Sequence, residues 1–330
     1  MDIQNLTNTP ILVSIRCCTY NHEPYIRKCL DGFVMQKTNF RFEAIVHDDA
    51  STDGTAAIVR EYASRYPDII KPIFEEENQY SKHDGSLSRI MNSHMRGKYI
   101  AMCEGDDYWI DPMKLQTQVA FMEQHKDVSM CFHNAYYYDQ VRSKIIGEHR
   151  IYEMDKYVDN NIIFRDGGFI PTNSIMYRSE LISKVNELSA ACPVCDLPLQ
   201  IAMAISGKVY YINKTMSCYR VNNSSSAMYK VNSNVERYIK HHKAFISWYN
   251  GLDKLTNYKF HSEIAEAIVF SEARILIAEK NYKALSDKKY KVYAQSLPIT
   301  QRIGLVANMS GFGWIYKLGH SFLSMIRKFI

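Results

Sequence analysis

Over its first 140 residues the chain alternates apolar runs with amphipathic stretches. ILVSIRC, from Ile11 to Cys17, is rich in β-formers and predicts a buried strand. The turn TYNHEPY follows, and YIRKCLDGFVMQ then reads as a helix. FEAIVHDD, from Phe42 to Asp49, predicts a second strand. ASTDGTAAIVREYASRY turns into a helix with Ile58, Val59 and Tyr62 on one face and Asp53 or Thr55 as its cap. IIKPIF is a short third strand, and SLSRIMNSHMRG is a helix stopped by Gly97. KYIAMC, from Lys98 to Cys103, is a fourth strand. PMKLQTQVAFMEQHK opens on Pro112 as a helix, and VSMCFHNAYYYD is a fifth strand.

This alternation predicts an α/β fold with a mostly parallel central sheet and helices on both faces. Beyond about residue 140 the pattern weakens. CDLPLQIAMAISG reads as a helix closed by Gly207, KVYYINKTMSCYR as two short strands, and the stretch from Ala227 to about Ser286 as helix. The expected organisation is one α/β domain over residues 10–226 and a C-terminal helical extension over 227–330. Charge sharpens the division. Residues 230–330 carry 16 Lys and Arg against 7 Asp and Glu, whereas residues 1–229 carry 24 against 28. A basic extension suits an anionic surface, or is simply a solvated lysine-rich helical face.

The opening MDIQNLTNTP is polar and does not read as a secretory leader, and no run of 18 apolar residues predicts a spanning helix. The eight cysteines are scattered, several in apolar segments, as reduced thiols are. A cytoplasmic location is expected. Cys192 and Cys195 in CPVC have the spacing of half a zinc site, but the second half is missing.

Candidate chemistry gathers at the strand ends. In CEGDDYW, Glu104, Asp106 and Asp107 directly follow the fourth strand. Adjacent carboxylates repel, and burial strengthens the repulsion, so the cluster needs water or a cation. Ligands of an open parallel sheet bind outside the carboxyl ends of its strands. If the first, second and fourth strands are parallel, Asp48, Asp49, Asp106 and Asp107 meet at one edge and suit Mg²⁺ or Mn²⁺ bridging to phosphates. Asp53, in STDGT, is read as turn chemistry instead. No GxGxxG follows the first strand and no P-loop is present, which argues against dinucleotide or P-loop binding.

VSIRCCTYNHEPYIRKCL, FEAIVHDDASTDGT and KYIAMCEGDDYW, in that order, resemble the N-terminal half of family 2 glycosyltransferases. The resemblance covers about residues 10–220 and implies a nucleotide-sugar-binding α/β fold of the A type. It implies that Cys18, Thr19, Tyr20 and Glu23 line the nucleotide pocket and that Asp49 contacts the base, commonly uracil. Asp106 then lies near the ribose, and Asp107, with Asp106, holds Mn²⁺ or Mg²⁺ on the diphosphate. Asp196, opening a helix in VCDLPLQ, matches the catalytic base, with Cys195 where the family usually has Glu. Arg220 matches a phosphate-binding position, and Asn222 stands where His is often found. Arg89 is a further diphosphate candidate or a surface charge, and His133 either faces the acceptor or is a buried structural residue.

The implied reaction is a single inverting displacement, with a nucleotide-sugar donor and a glycan or lipid-linked glycan acceptor. Nucleic acid is not an expected partner. WIYKLGHSFLSMIRKFI (314–330) has an aromatic-rich apolar face and a basic polar face. It suits peripheral contact with an anionic membrane at the inner face of the plasma membrane, or docking on protein. The alternative to catalysis is a glycosyltransferase-like binding or scaffold protein, which the missing Glu permits and the intact acid cluster opposes.

Overall fold

The computed structural model describes residues 9–165, 169–189, 192–194, 196–221, 231 and 233–310. The early apolar runs become β1 (Ile11–Thr19), β2 (Arg41–Asp48), β3 (Ile70–Phe74) and β4 (Tyr99–Met102). Between them lie α1 (Glu23–Val34), α2 (Thr55–Arg65) and α3 (Ser86–His94). Next come β5 (Tyr108–Trp109), α4 (Lys114–Gln124), β6 (Val128–Asp139), β7 (Lys144–His149), β8 (Lys156–Val158) and α5 (Asn160–Arg165). The series closes with β9 (Met176–Arg178), α6 (Ile182–Leu188), α7 (Asp196–Ser206) and β10 (Lys208–Val221).

The strands form one sheet in the order β3-β2-β1-β4-β9-β6-β10-β5, with β7 on β6 and β8 on β10. β3, β2, β1 and β4 are parallel. β9 is antiparallel to both β4 and β6, and β10 is parallel to β6. The six strands β1, β2, β3, β4, β6 and β10 therefore run one way, as the α/β reading expects. The reversed strands β5, β7, β8 and β9 are the ones the sequence pattern did not reveal. Most are two or three residues long, too short to show a period.

KVYYINKTMSCYR is one strand, not two. Its polar middle is absorbed by register shifts against β6 between Ile212 and Ser217. Asn213 is tied down there, its N–H donating to Asp155 Oδ1 at 2.8 Å and its Nδ2 to Glu153 O at 2.7 Å. The long β6 ladder makes a bulge less costly than a break.

The main core joins Val13, Ile15 and Val46 of the sheet to Ile26, Leu30 and Phe33 of α1 and to Leu115, Val119 and Met122 of α4. A polar knot locks the entry to β4. Buried Glu43 accepts from Ser14 Oγ at 2.8 Å and from the Arg96 guanidinium, and Gly97 N donates to Ser14 Oγ at 2.8 Å.

The chain divides into two compact units, 1–190 with 194–223, and 191–193 with 224–330. The described part of the second unit contains α8 (Val235–Leu255), α9 (His261–Ala278), α10 (Tyr282–Leu285), α11 (Lys291–Ser296) and α12 (Ile299–Met309). Asn234 caps α8 by accepting from Arg237 N at 2.9 Å. Phe270, Ala273, Leu285, Tyr290, Tyr293 and Leu305 form this unit's own apolar cluster. No helix among the described residues is long and apolar enough to cross a membrane.

A Cβ on Gly97 would lie 2.4 Å from Ser14 N and 2.7 Å from Val13 C, both backbone atoms. Gly97→Ala must push β4 away from β1 and is expected to cost about 1–3 kcal/mol in urea unfolding. An unchanged unfolding midpoint would show that the two strands can separate freely.

Candidate active site

The parallel register places Thr19, the last residue of β1, beside Asp48, the last of β2. Asp49 N then donates to Thr19 O at 2.9 Å. The turn after β4 runs along the same strand, with Cys103 N donating to Arg16 O at 3.1 Å and Gly105 N to Cys18 O at 2.9 Å. A Cβ on Gly105 would stand 2.7 Å from Thr19 Oγ1 and 2.9 Å from His22 Nδ1, so glycine is what permits this approach. Both of those polar atoms are buried with no hydrogen-bond partner among the described residues.

The three acids of this turn have different surroundings. Glu104 folds back onto β1, accepting from Cys18 N at 3.3 Å and pairing with Arg16 at 3.4 Å. Burial raises its carboxyl, Arg16 opposes the rise, and Asp106 and Asp196 add to it. Asp107 is only 3% exposed. Its Oδ1 accepts from Arg220 N at 2.8 Å and its Oδ2 from Asn173 Nδ2 at 3.1 Å. Burial, followed by the nearby Asp106 charge, holds the Asp107 carboxyl well above the usual range. The Asp106 side chain makes no hydrogen bond among the described residues. The Arg220 guanidinium reaches the Asp106 carbonyl and lies 4.7 Å from the Tyr108 ring centre and 5.0 Å from that of Tyr25.

Asp196 opens α7. Burial raises its carboxyl, opposed by its own N–H and that of Leu197. It is close enough to act electrostatically on Glu104 and on Tyr219. Burial raises the Tyr219 phenol, and Asp107, Asp106 and Asp196 raise it further. The fold thus brings Asp196 into the electrostatic neighbourhood of the acid turn across about 90 residues of sequence.

Other residues singled out from the sequence are engaged differently. Cys18 and Thr19 lie along the GDD turn, and Tyr20 projects into solvent beside them. The Glu23 carboxylate accepts from Gly54 N at 2.9 Å, and Asp53 Oδ2 accepts from Glu23 N at 3.0 Å. Asp53 Oδ1 also accepts from Thr55 N at 3.0 Å, so Asp53 caps its own helix α2 as expected while meeting the start of α1, and Glu23 adds to the cap of α2. Asp49 is 3% exposed, with Oδ1 accepting from Gln79 N at 2.7 Å and Oδ2 from Tyr80 N at 3.0 Å. Arg89 donates to Asp84 O at 2.6 Å, within its own loop. His133 is fully enclosed in β6, its Nδ1 against Asn134 O, and does not face open space. Cys195, Asn222 and residues 314–330 lie outside the described residues.

Sequence reasoning missed His22 and Asn173. His22 occupies the N-cap position of α1, and burial lowers its imidazole while Asp106 raises it. Its neighbour Glu in a turn was the available signal. Asn173 is fully buried, donating to Cys218 O at 3.0 Å, accepting from Ser217 Oγ at 2.8 Å, and taking Trp109 Nε1–H on its carbonyl. Nothing local in PTNSIM announces this role.

The family model described as glycosyl transferase family 2 matches residues 14–185. The chain belongs to this family. One relative, the uncharacterized protein Rv1520 of Mycobacterium tuberculosis, is 36% identical over 213 residues, covering 63% of this chain and 58% of that protein. The chain therefore spans less than two thirds of that relative's length. Glycosyltransferase GlyA of Streptococcus pneumoniae is 27% identical over 223 residues, covering 62% of this chain and 30% of GlyA. Among solved structures, S. aureus TarS 1–349 in complex with UDP-GlcNAc superimposes with a TM-score of 0.61 at 17% identity, covering 94% of this chain and 92% of that one. That likeness establishes the shared fold.

Asn173→Ala removes three side-chain hydrogen bonds and leaves buried partners behind. It is expected to destabilise the protein by about 2 kcal/mol or more in urea unfolding. Asn173→Asp should be worse at neutral pH, because it sets a second carboxylate beside Asp107. That excess should shrink as pH falls and protonation removes the repulsion. Equal stability of wild type and both variants would show that the turn stands without this network.

Proposed function

We propose that this protein transfers a sugar from a nucleoside-diphosphate sugar, a UDP-sugar first among candidates, to a hydroxyl of a glycan or lipid-linked glycan, with inversion. The observation that carries the reading is Asp196, a half-buried carboxylate at a helix N-terminus within electrostatic reach of Glu104 in the strand-edge acid cluster. Family membership supports the reaction class, and the UDP-GlcNAc in the TarS structure supports the donor class.

In this mechanism Asp196 takes the proton of the acceptor hydroxyl as that oxygen attacks the anomeric carbon. A raised carboxyl suits the task, because proton transfer is most effective from a base whose affinity approaches the operating pH. Arg220, whose guanidinium reaches the Asp106 carbonyl, would meet the charge of the leaving diphosphate. No group of three or more His, Cys, Asp or Glu side chains among the described residues is arranged to hold a metal unaided. Mg²⁺, however, is commonly held by one or two carboxylates with substrate phosphates as the other ligands. The Asp106 carboxylate, with no hydrogen bond among the described residues, fits that role for Mn²⁺ or Mg²⁺. Asp107, whose two oxygens each accept one hydrogen bond, holds the turn that presents Asp106, and its remaining lone pairs leave it able to share the cation. Such a cation would neutralise charge developing on the diphosphate.

Purified protein assayed with UDP-sugars tests the reading. Asp196→Asn should lower kcat by about 10²–10⁴-fold while nucleotide binding persists. The base must be ionised, so activity should fall as pH drops through the Asp196 pKa. With that pKa raised, the acid limb should lie above the ordinary Asp range of about 4. Nucleotide binding with no turnover for any sugar donor would favour a binding protein instead.

The basic extension supports peripheral contact with anionic lipid through 314–330, with Ile299, Ile303 and Val306 of α12 exposed just before it. Deleting 311–330 should abolish co-sedimentation with phosphatidylglycerol vesicles. Undiminished sedimentation would remove that part of the reading.

A further inference from the structure

We infer that the turn joining β6 to β7 dips into an anionic lipid surface and sets the edge bearing the acid turn against it. The inference rests on the membrane contact proposed above and extends it to a segment of the first unit. β6 runs with β1 and β4, so its end lies at the same edge as the acid turn. Tyr138 stands opposite Arg220, whose N–H holds Asp107, and Asp139 stands opposite Val221. Gln140 N still reaches Val221 O at 3.1 Å, and beyond it the chain turns back into β7.

This turn is firmly built, yet its apolar side chains are uncovered. Buried Asp139 accepts from Arg142 N at 3.0 Å and pairs with the Arg142 guanidinium at 3.2 Å, and Ser143 takes a left-handed φ of 51°. Val141, Ile145 and Ile146 are nevertheless 79%, 52% and 46% exposed. A Cβ on Gly147 would meet nothing within 4 Å. Keeping three aliphatic side chains in water on a fixed turn is unfavourable, and burial among acyl chains relieves it.

Charge points to the occupant. Residues 140–147, QVRSKIIG, include Arg142 and Lys144 and no acid. Aliphatic side chains interleaved with cations match the boundary between headgroups and acyl chains of an anionic bilayer. A second copy paired along the outer edge of β7 would bring these cations together, and charged side chains are a means by which strand edges prevent such pairing. Val141 follows Tyr138 by three residues, a span of at most about 10 Å. A surface that receives the tip therefore lies close to the level of Arg220, where a lipid-linked hydroxyl can reach the acid turn.

Co-sedimentation of the full chain with phosphatidylglycerol vesicles tests this. Val141→Ser/Ile145→Ser/Ile146→Ser should bind about tenfold or more weakly, with an unchanged urea midpoint. Lys144→Glu should bind about tenfold more weakly at low salt, a loss that fades at high salt. Ile145→Trp should gain fluorescence that brominated phosphatidylglycerol quenches. Wild-type affinity in the triple variant would overturn the proposal, as would an Ile145→Trp signal that brominated lipid leaves unquenched. A wild-type dimer that the triple variant splits, with vesicle binding unchanged, would assign the surface to a second copy instead. If deleting 311–330 abolishes sedimentation and the triple variant does not lower it, the tail contact stands and this one falls. If the wild-type chain does not sediment at all, both fall.

Discussion

A buried carboxylate holds this site together. Asp107 accepts one hydrogen bond from the backbone of β10 and one from Asn173, whose segment leads into β9. A single side chain thereby joins the turn after β4, the approach to the reversed strand and the end of the longest strand. Burying an acid is costly, and two good donors are what make it tolerable. Asp106 and Arg220 lie where they do because Asp107 fixes the backbone between and beside them.

The parallel half of the sheet was legible in the sequence. ILVSIRC, FEAIVHDD and KYIAMC are apolar runs because strands buried on both faces need no alternation. Their shared direction follows from the helices between them, and it is what gathers the strand-end acids along one edge. The antiparallel half was not legible. β5 and β9 are too short for a period, and β10 looked interrupted because Asn213 and Lys214 resemble a turn. Only the neighbouring ladder reveals them as a bulge.

The site was readable in its acids and hidden in their partners. Which of Asp106 and Asp107 is buried depends on Asn173, more than 60 residues away in sequence, and no spacing encodes that contact. Asp49 was recognisable as a strand-end acid, but its commitment to Gln79 and Tyr80 depends on a loop that follows β3. Glu23 was assigned to the nucleotide pocket by the family resemblance. Its side chain crosses to α2, a contact set by the packing of two helices against each other.

The exchange between Glu23 and Asp53 has a consequence for charge. A helix N-terminus is the usual site where a fold receives an anion, since its free N–H groups and dipole favour negative charge. At this edge α1 and α2 each receive an acid from the other's turn, and α7 opens on an acid of its own, Asp196. These helix ends are already neutralised from within the chain. A polyanion arriving at this edge would meet helix dipoles that are already silent, and its balancing charge would have to come from side chains such as Arg220 or from a counter-ion brought with it.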